Sequence, residues 1–351
     1  MNDTQRAERG GPSALGVYHG IPDGLIERPA HELVEVLGGP SLIYIRGRRK
    51  PPLFVSVLLH GNETSGWDAL RRLLARNEEL ERELILFVGN VAAAARGART
   101  LPHQQDYNRV WQGAGGPEGQ MAAEVLGALD GQPLWAAVDL HNNNGKNPHY
   151  AIVTHRGEGA LGLGQLFSDR AIWVEEPRSV LTRVFDELCP AVAVELGPVG
   201  DPACVDRAHS YLARCLSLGA IPAPKPERLG LHRTLARVHV AKGVPFSFAD
   251  EVEPTPLTLT RAMESENFRP VAAGTEFGSA DAAVTELLEV VDTRRQVVTG
   301  DYFGVEAGRI LLKRSVIPAM YTTDREMIRQ DCLCYFMEQM PLAPGGGSLA
   351  R

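Results

Sequence analysis

LFVSVLLHGNETSGWDALRRLL, residues 53–74, is the stretch that decides the fold. It opens with a run of apolar and β-branched residues that is typical of a strand buried on both faces. Trp67, Leu70, Leu73 and Leu74 then follow at helical spacing, so a helix is predicted directly after the strand, from Trp67 to about Glu83. Because a strand that leads at once into a helix is the usual unit of an α/β sheet, we predict an α/β fold.

Polar residues occupy the junction between this strand and this helix. His60 and Glu63 belong to the tetrapeptide HGNE, at the carboxyl end of the strand, where open α/β sheets place their ligands. Side chains three residues apart in a first helical turn lie on one face. An imidazole and a carboxylate so placed are two of the three protein ligands of a catalytic His₂Glu zinc site. The pair alone is a weak indication, because many chains contain it by chance.

A second histidine is predicted at the same edge of the sheet. Residues 135–141, WAAVDLH, predict another strand, and His141 stands at its end. A short element with two ligands plus one distant histidine is the usual construction of a zinc site that keeps a position open for water. Asp139 is expected to support the site if the strand runs regularly. The alternative for His141 is a polar loop residue that binds nothing.

Composition excludes several classes of protein. The chain has 351 residues, a net charge of −7 and an apolar fraction of 44%, so no basic surface for nucleic acid or anionic membrane is expected. Its apolar runs are too short to span a bilayer, and the N-terminal residues lack the apolar core of a signal peptide. Five cysteines without a CxxC pair argue against a disulfide framework or a cysteine zinc site. We therefore expect a cytoplasmic protein.

A change of pattern near residue 222 predicts two domains. Strands and helices alternate over residues 1–221, with the last helix predicted from Ala208 to Leu218. The proline-rich PAPKPE, 222–227, then interrupts the chain. Residues 228–343 contain short β-rich segments separated by glycine and proline, which predicts a smaller β-rich C-terminal domain. The ends, 1–12 and 344–351, are expected to be flexible.

Four motifs in order resemble the succinylglutamate desuccinylase/aspartoacylase branch of the zinc metallocarboxypeptidase (M14-like) family. HGNE at 60–63 and DLHN at 139–142 resemble its metal-ligand motifs. DYNR at 106–109 resembles its substrate-binding DLNR, with tyrosine in place of leucine. AVELGP at 193–198 resembles the strand end that carries its catalytic glutamate. The order and spacing agree over residues 40–220, which implies a mixed-sheet, zinc-carboxypeptidase-like catalytic domain.

The resemblance also implies a role for individual residues and one Zn²⁺ per chain. The implied zinc ligands are His60, Glu63 and His141, and the implied general base is Glu195. The family also has an arginine near the scissile carbonyl, for which Arg99 is the best match and Arg96 the next. The residues implied to bind the substrate are Asn108, Arg109 and Arg183.

Two departures from the family pattern leave the substrate open. Asn143 stands where the family has a threonine, and MYTTDREMI, 320–328, occupies the region of a tyrosine that helps the family bind acidic substrates. The chemistry does not depend on either position. We therefore leave the acyl group and the amino acid of the substrate unassigned.

Elementary chemistry agrees with the roles that the resemblance implies. A glutamate at the end of a buried strand, as Glu195 is predicted to be, is partly desolvated, and its pKa rises toward a value useful for a base. The planar fork of Arg109 suits a carboxylate. The alternatives are a turn carboxylate for Glu195 and a surface ion pair for Arg109.

We predict a zinc-dependent amidohydrolase that cleaves the amide bond of a small carboxylate-bearing substrate such as an N-acyl amino acid. The first alternative is a metallocarboxypeptidase that acts on peptides, and the second is a non-catalytic binding protein on the same scaffold. No nucleic-acid or membrane partner is expected, and the sequence does not indicate an oligomeric state.

Overall fold

The chain divides into two compact units. In the computed structural model, the first unit comprises the residues up to Asn142 together with His149–Leu229, and the second comprises Asn143–Pro148 with the residues from Gly230 onward. The structure describes residues 15–76, 78–143, 145–251 and 254–342. The ends predicted to be flexible, 1–12 and 344–351, lie outside these described residues. No described helix is long and apolar enough to cross a membrane.

A mixed sheet forms the centre of the first unit. Its strands are β1 Gly16–His19, β2 Ser41–Ile45, β3 Leu53–Val57, β4 Leu84–Val88, β5 Ala136–His141, β6 Tyr150–Val153, β7 Arg170–Trp173 and β8 Ala191–Glu195. Their order across the sheet is β1-β2-β4-β3-β5-β8-β6-β7. The central strands β4, β3, β5 and β8 run parallel, whereas β2 and β6 are antiparallel to their neighbours β4 and β8. This arrangement confirms the predicted α/β class.

Helices cover both faces of this sheet. They are α1 Leu33–Leu37, α2 Ser65–Leu74, α3 Val91–Ala94, α4 Gly116–Ala128, α5 Glu158–Phe167, α6 Leu181–Phe185 and α7 Pro202–Ser217. Every residue of β3, β4, β5 and β8 is buried, as expected for parallel strands with helices on both sides. On one face, the aromatic side chains of Phe54, Phe87, Trp111 and Phe185 pack into one cluster.

Two helices differ in extent from the predictions. Helix α2 ends at Leu74, although a helix from Trp67 to about Glu83 is predicted. Residues 76–79, RNEE, are all polar and give a longer helix no apolar stripe. Helix α7 begins at Pro202, before the predicted start at Ala208. The side chain of Asp201 accepts a hydrogen bond from the backbone N–H of Ala203, and a proline follows it at the first helical position.

The second unit is rich in short strands, as predicted. A sheet of order β10-β11-β12-β15-β14 contains β10 Phe246–Phe248, β11 Leu257–Leu259, β12 Glu276–Ala280, β14 Phe303–Glu306 and β15 Arg309–Leu312. The long strand β9, Gly230–Val240, pairs antiparallel with β13 Leu288–Asp292 and β17 Cys334–Met340, and β17 pairs with β16 Ile317–Ala319. Its helices are short: a 3₁₀ helix at Arg261–Glu266, α8 Val284–Leu287, α9 Thr299–Tyr302 and α10 Arg325–Gln330.

Candidate metal centre and active site

Three neighbouring strands bring the predicted site residues to one edge of the sheet. His60 follows β3, His141 ends β5 and Glu195 ends β8. In the parallel pairing of β5 with β8, His141 lies opposite Glu195, and the backbone N–H of Leu196 donates to the carbonyl of His141 at 2.9 Å. Because the carboxyl ends of parallel strands meet at the same edge, residues far apart in sequence lie together here.

A glycine allows the turn after β3 to pass close to another part of the chain. The backbone N–H of Gly61 donates to the carbonyl of Arg99 at 3.0 Å. A Cβ atom at Gly61 would lie 2.3 Å from the backbone nitrogen of Ala94, so no other residue fits without displacing the backbone. The N–H of Glu63 then donates to the carbonyl of His60 at 3.1 Å and closes the turn.

Two imidazoles and one carboxylate, those of His60, His141 and Glu63, form a compact buried group that we call the metal-ligand group. Possible ligand atoms of His60, Glu63 and His141 all lie within 4.8 Å of one another. The Nδ1 atom of each histidine is 2.8 Å from a different oxygen of Glu63. All three residues are at most 7% exposed. Two nitrogen donors and a carboxylate oxygen are a set that zinc prefers.

The outer nitrogen of each imidazole meets a second carboxylate. Nε2 of His60 is 3.0 Å from Oδ1 of Asp106, and Nε2 of His141 is 2.6 Å from Oδ2 of Asp139. We assign the proton of each Nε2 to this contact, which leaves both Nδ1 atoms to face Glu63. Histidines that bind metal ions commonly donate their other N–H to a carboxylate in this way. The residues present therefore fit a metal ion at Nδ1 of His60, Nδ1 of His141 and the carboxylate of Glu63.

The electrostatics of this group also favour positive charge. Burial alone would lower the pKa of each histidine, but the surrounding carboxylates outweigh it. The pKa of His60 is raised by Glu63 and Asp106, and that of His141 is well above its usual range because of Asp139 and Glu63. The two histidines hold the pKa of Glu63 below its usual range in spite of burial. Such a group stabilises a cation, whether protons or a metal ion.

Glu195 is a buried carboxylate whose pKa lies near neutrality. It is 8% exposed, and its Oε2 has no hydrogen-bond partner among the described residues. Burial, with a smaller effect of Glu63, raises its pKa to about 7, while His141, His60 and Arg99 oppose the rise. A carboxylate that exchanges a proton near neutral pH can act as a general base and then as a general acid.

Comparison with known proteins finds one family model that matches part of the first unit. Residues 50–216 match the family model described as the succinylglutamate desuccinylase/aspartoacylase catalytic domain. This match confirms the predicted resemblance to the succinylglutamate desuccinylase/aspartoacylase branch. Among curated proteins, no sequence matches the chain.

Several solved structures share the fold of this chain. Succinylglutamate desuccinylase from Vibrio cholerae is 15% identical, with a TM-score of 0.57 over 90% of this chain and 96% of that chain. Murine aminoacylase 3 is 17% identical, with a TM-score of 0.52 over 84% of this chain and 97% of that chain. The succinylglutamate desuccinylase/aspartoacylase from Rhodobacter sphaeroides is 14% identical, with a TM-score of 0.55 over 85% and 88%. At these identities the likeness shows the fold alone.

The two arginines that match the family's carbonyl-side arginine differ in position. Arg99 lies beside the metal-ligand group: one guanidinium nitrogen is 3.4 Å from Oε1 of Glu63 and another is 3.1 Å from Oδ2 of Asp106. Arg96 is exposed. Arg99 is therefore the arginine that can reach an atom bound at the site.

The residues that match the family's substrate-binding motif reach the site only in part. Nδ2 of Asn108 lies 3.3 Å from Nε2 of His141, while its Oδ1 accepts from the N–H of Leu181 at 3.0 Å. Arg109 is exposed, and its guanidinium donates to the carbonyl of Asn108 at 2.8 Å. Arg183 donates to the carbonyl of Thr154 at 3.0 Å, and none of its described contacts is with a metal-ligand residue.

Asp106 and Asn142 have contacts at the site that the sequence did not predict. Asp106 accepts hydrogen bonds from His60, Arg99 and the N–H of Asn108, so it joins the DYNR segment to the metal-ligand group. The side chain of Asn142 contacts Ser65 and the carbonyl of Gly197, and thereby links the ends of β5 and β8 to the start of α2. The family motifs contain both residues, but only their contacts reveal what they do.

The two positions that depart from the family pattern have different environments. Tyr321 is fully buried, and its hydroxyl donates to the carbonyl of Thr260 at 2.7 Å, so this tyrosine is a core residue of the second unit. Asn143 is 3% exposed, and neither polar atom of its side chain has a hydrogen-bond partner among the described residues.

Proposed function

We propose that this protein is a zinc-dependent amidohydrolase that cleaves the amide bond of a small carboxylate-bearing substrate, such as an N-acyl amino acid. The observation that carries the proposal is the buried group of His60, Glu63 and His141, in which both histidines turn Nδ1 inward and donate outward to carboxylates. The match of residues 50–216 to the succinylglutamate desuccinylase/aspartoacylase catalytic domain supports the substrate class.

Glu195 would carry the proton in this reaction. A zinc ion held by the three ligands supplies a Lewis acid and lowers the pKa of water toward neutrality. The carboxylate of Glu195, whose pKa is raised by burial, accepts a proton from the attacking water at its Oε atom and gives it to the leaving amine nitrogen.

Arginines would stabilise the charges on the substrate. The guanidinium of Arg99, beside Glu63, donates to the oxygen that becomes negative when the amide carbonyl is attacked. The exposed guanidinium of Arg109 would bind the substrate carboxylate through two parallel hydrogen bonds, with the side-chain amide of Asn108 beside it. We further propose a cytoplasmic location, which the five free thiols support.

Metal analysis and a substrate panel test the proposal together. The purified protein should contain about one zinc ion per chain, and His60→Ala and His141→Ala should lose both the metal and the activity. Full zinc occupancy in the His141→Ala protein would contradict the assigned site.

Hydrolysis of N-acyl amino acids should exceed hydrolysis of peptides with a free C-terminus. The reverse preference identifies a metallocarboxypeptidase. Zinc binding without turnover of either panel identifies a binding protein.

A further inference from the structure

A single hydroxyl interrupts the apolar strand that leads to the metal centre. Strand β3 reads LFVSV, and Ser56 is its one polar residue. Ser56 is 0% exposed, so water cannot satisfy its hydroxyl group. A buried hydroxyl is costly unless it has a hydrogen-bond partner. The partner therefore indicates why a polar side chain occupies this strand.

Ser56 donates to the carboxylate that holds a metal ligand. In the parallel pairing of β3 with β5, Ser56 lies opposite Asp139. Its Oγ is 2.5 Å from Oδ1 of Asp139, and Oδ2 of the same carboxylate is 2.6 Å from Nε2 of His141. Because alternate residues of a strand face the same side, Asp139 and His141 meet at the same face of β5. The three side chains form one chain of hydrogen bonds within the sheet.

The two histidines are anchored differently. Asp106, which accepts from His60, has a side chain that is 25% exposed and also binds Arg99 and the N–H of Asn108. Asp139 is 0% exposed, and its described side-chain contacts are Ser56 and His141. Loss of the Ser56 hydroxyl therefore leaves Oδ1 of Asp139 in a dry part of the sheet with no described donor in its place.

We propose that Ser56 is a positioning residue for the metal ligand His141 and that it acts through Asp139. By holding Oδ1, the hydroxyl fixes the plane of the carboxylate, and Oδ2 then fixes the imidazole with Nδ1 directed at the ion. Groups that orient a metal ligand from behind typically change metal affinity about 10–100-fold when they are removed. This inference rests on the metal site of the proposed function.

Zinc affinity, measured by competition with a chromogenic chelator, tests the inference without reference to activity. Ser56→Ala should weaken zinc binding by about 10–100-fold relative to wild type. Ser41→Ala is the matched control, because Ser41 is also a 0% exposed strand serine whose hydroxyl donates to a carbonyl, that of Gly39 at 3.0 Å. The control should bind zinc as tightly as wild type.

A double-mutant cycle shows whether Ser56 acts through Asp139. Asp139→Asn should weaken zinc binding at least as much as Ser56→Ala, and the double variant should bind no more weakly than Asp139→Asn alone. Additive losses would overturn the inference. If Ser56→Ala does not fold, Ser56→Cys keeps a side chain of similar size with a weaker donor, and it should also lose affinity.

Other outcomes separate this inference from the proposed function. Wild-type protein that binds no zinc would refute the metal site itself. Wild-type protein that binds zinc, with Ser56→Ala binding equally well, would refute only the role of Ser56. A variant that melts earlier without metal yet keeps full zinc affinity would give Ser56 a purely structural role and would also overturn the inference.

Discussion

Glu195 combines deep burial with an oxygen that has no hydrogen-bond partner among the described residues, and this fixes the expected pH dependence of catalysis. Its pKa is raised from 4.5 to about 7, and a bound metal cation would draw it down again by favouring the carboxylate. Because the base must be ionised, kcat/KM should rise with pH through an apparent pKa between these two values.

Glu195→Gln should keep zinc and fold but lose about 10²-fold or more in kcat, since the amide cannot accept the proton. The rise of kcat/KM between pH 4.5 and 7 should disappear in this variant, as measured on one N-acyl amino acid over that range. A variant with wild-type turnover would show that the base lies elsewhere.

Arg109 provides a test of substrate recognition. An arginine that binds a carboxylate through two hydrogen bonds leaves that charge unpaired when it is lost, at a cost of about 2–4 kcal/mol in kcat/KM. Arg109→Ala should therefore lose most of the preference for a free acid over its amide analogue, and Arg109→Lys should restore little of it. The measurement is kcat/KM for both analogues in each protein. Equal discrimination in wild type and Arg109→Ala would assign carboxylate recognition to another residue.

Asp186 is a half-buried carboxyl group outside the active site that links stability to pH. It accepts hydrogen bonds from the Thr154 hydroxyl and from the N–H of Ala191, and burial raises its pKa from 3.8 to about 6. Between these values the folded chain keeps a proton that the unfolded chain releases. The free energy of unfolding therefore falls as pH rises from 3.8 through 6, by on the order of 2–3 kcal/mol in total.

Asp186→Asn removes this proton linkage while an amide can still serve both neighbours. The stability of the variant relative to wild type should increase by that amount between pH 3.5 and 7, measured by urea unfolding at both values. Other titrating groups cancel in the comparison. A difference that does not change with pH would show that Asp186 ionises normally.

Sequence patterns could predict that His60, Glu63 and His141 lie together, because strand ends are predictable. The apolar runs before His60 and His141 locate two neighbouring strand ends, and parallel strands bring such ends to one edge. They could not assign the contact of Ser56 with Asp139, because it depends on the register between two strands 83 residues apart. The side chain of Arg183 donates to the backbone carbonyl of Thr154, and a pattern of side chains in the sequence cannot predict a contact with a backbone group.

At the scale of elements, the turn between β3 and α2 has the tightest backbone approach in the site. Gly61→Ala places a methyl group 2.3 Å from the backbone nitrogen of Ala94, so the turn that carries His60 and Glu63 must move. A displacement of about 1 Å at a catalytic group can cost about 10² in rate. We expect kcat/KM and zinc affinity to fall together.

Gly39→Ala is the control for this substitution. Gly39 lies between α1 and β2, where a Cβ atom would meet nothing within 4 Å, and its φ is not in the left-handed region. This variant should keep wild-type activity and zinc affinity. Normal zinc binding by Gly61→Ala would show that the turn tolerates the displacement.

Element boundaries illustrate what local sequence can and cannot indicate. The polar residues at 76–79 explain why α2 ends at Leu74, and the Asp201 cap explains where α7 begins. Both helix boundaries could therefore have been predicted from the sequence. Asn142, in contrast, contacts Ser65 at the start of α2 although 77 positions separate them. A contact of that kind belongs to the assembled sheet and leaves no local signal.

At the scale of the whole molecule, the chain enters its second unit twice. Asn143–Pro148 belongs to that unit, directly after the end of β5. Within the unit, the side chain of Asn147 accepts from the N–H of Met320 at 2.9 Å, and Asn267 exchanges hydrogen bonds with both backbone groups of Tyr321. The proline-rich segment at 222–227 is the one boundary that the sequence predicts. Residues 143–148, NNGKNP, have the composition of a turn, which does not reveal that they belong to the second unit.

The five cysteines allow the opening rate of each unit to be measured separately. All are free and buried, and burial raises their pKa values, so an alkylating reagent finds almost no accessible thiolate in the folded protein. Three sulfurs, at Cys189, Cys204 and Cys215, belong to the first unit, and two, at Cys332 and Cys334, belong to the second. The alkylation rate of each peptide, followed by mass spectrometry, therefore records how often its own unit opens.

Added zinc should slow alkylation of the first-unit thiols, Cys204 most clearly, because its sulfur contacts the carbonyl of Leu196 beside Glu195. Rapid alkylation of all five in the native protein would contradict their burial. If Cys332 and Cys334 react at a rate that zinc does not alter, the two units open independently. If zinc slows the alkylation of all five cysteines equally, a single cooperative opening exposes them all.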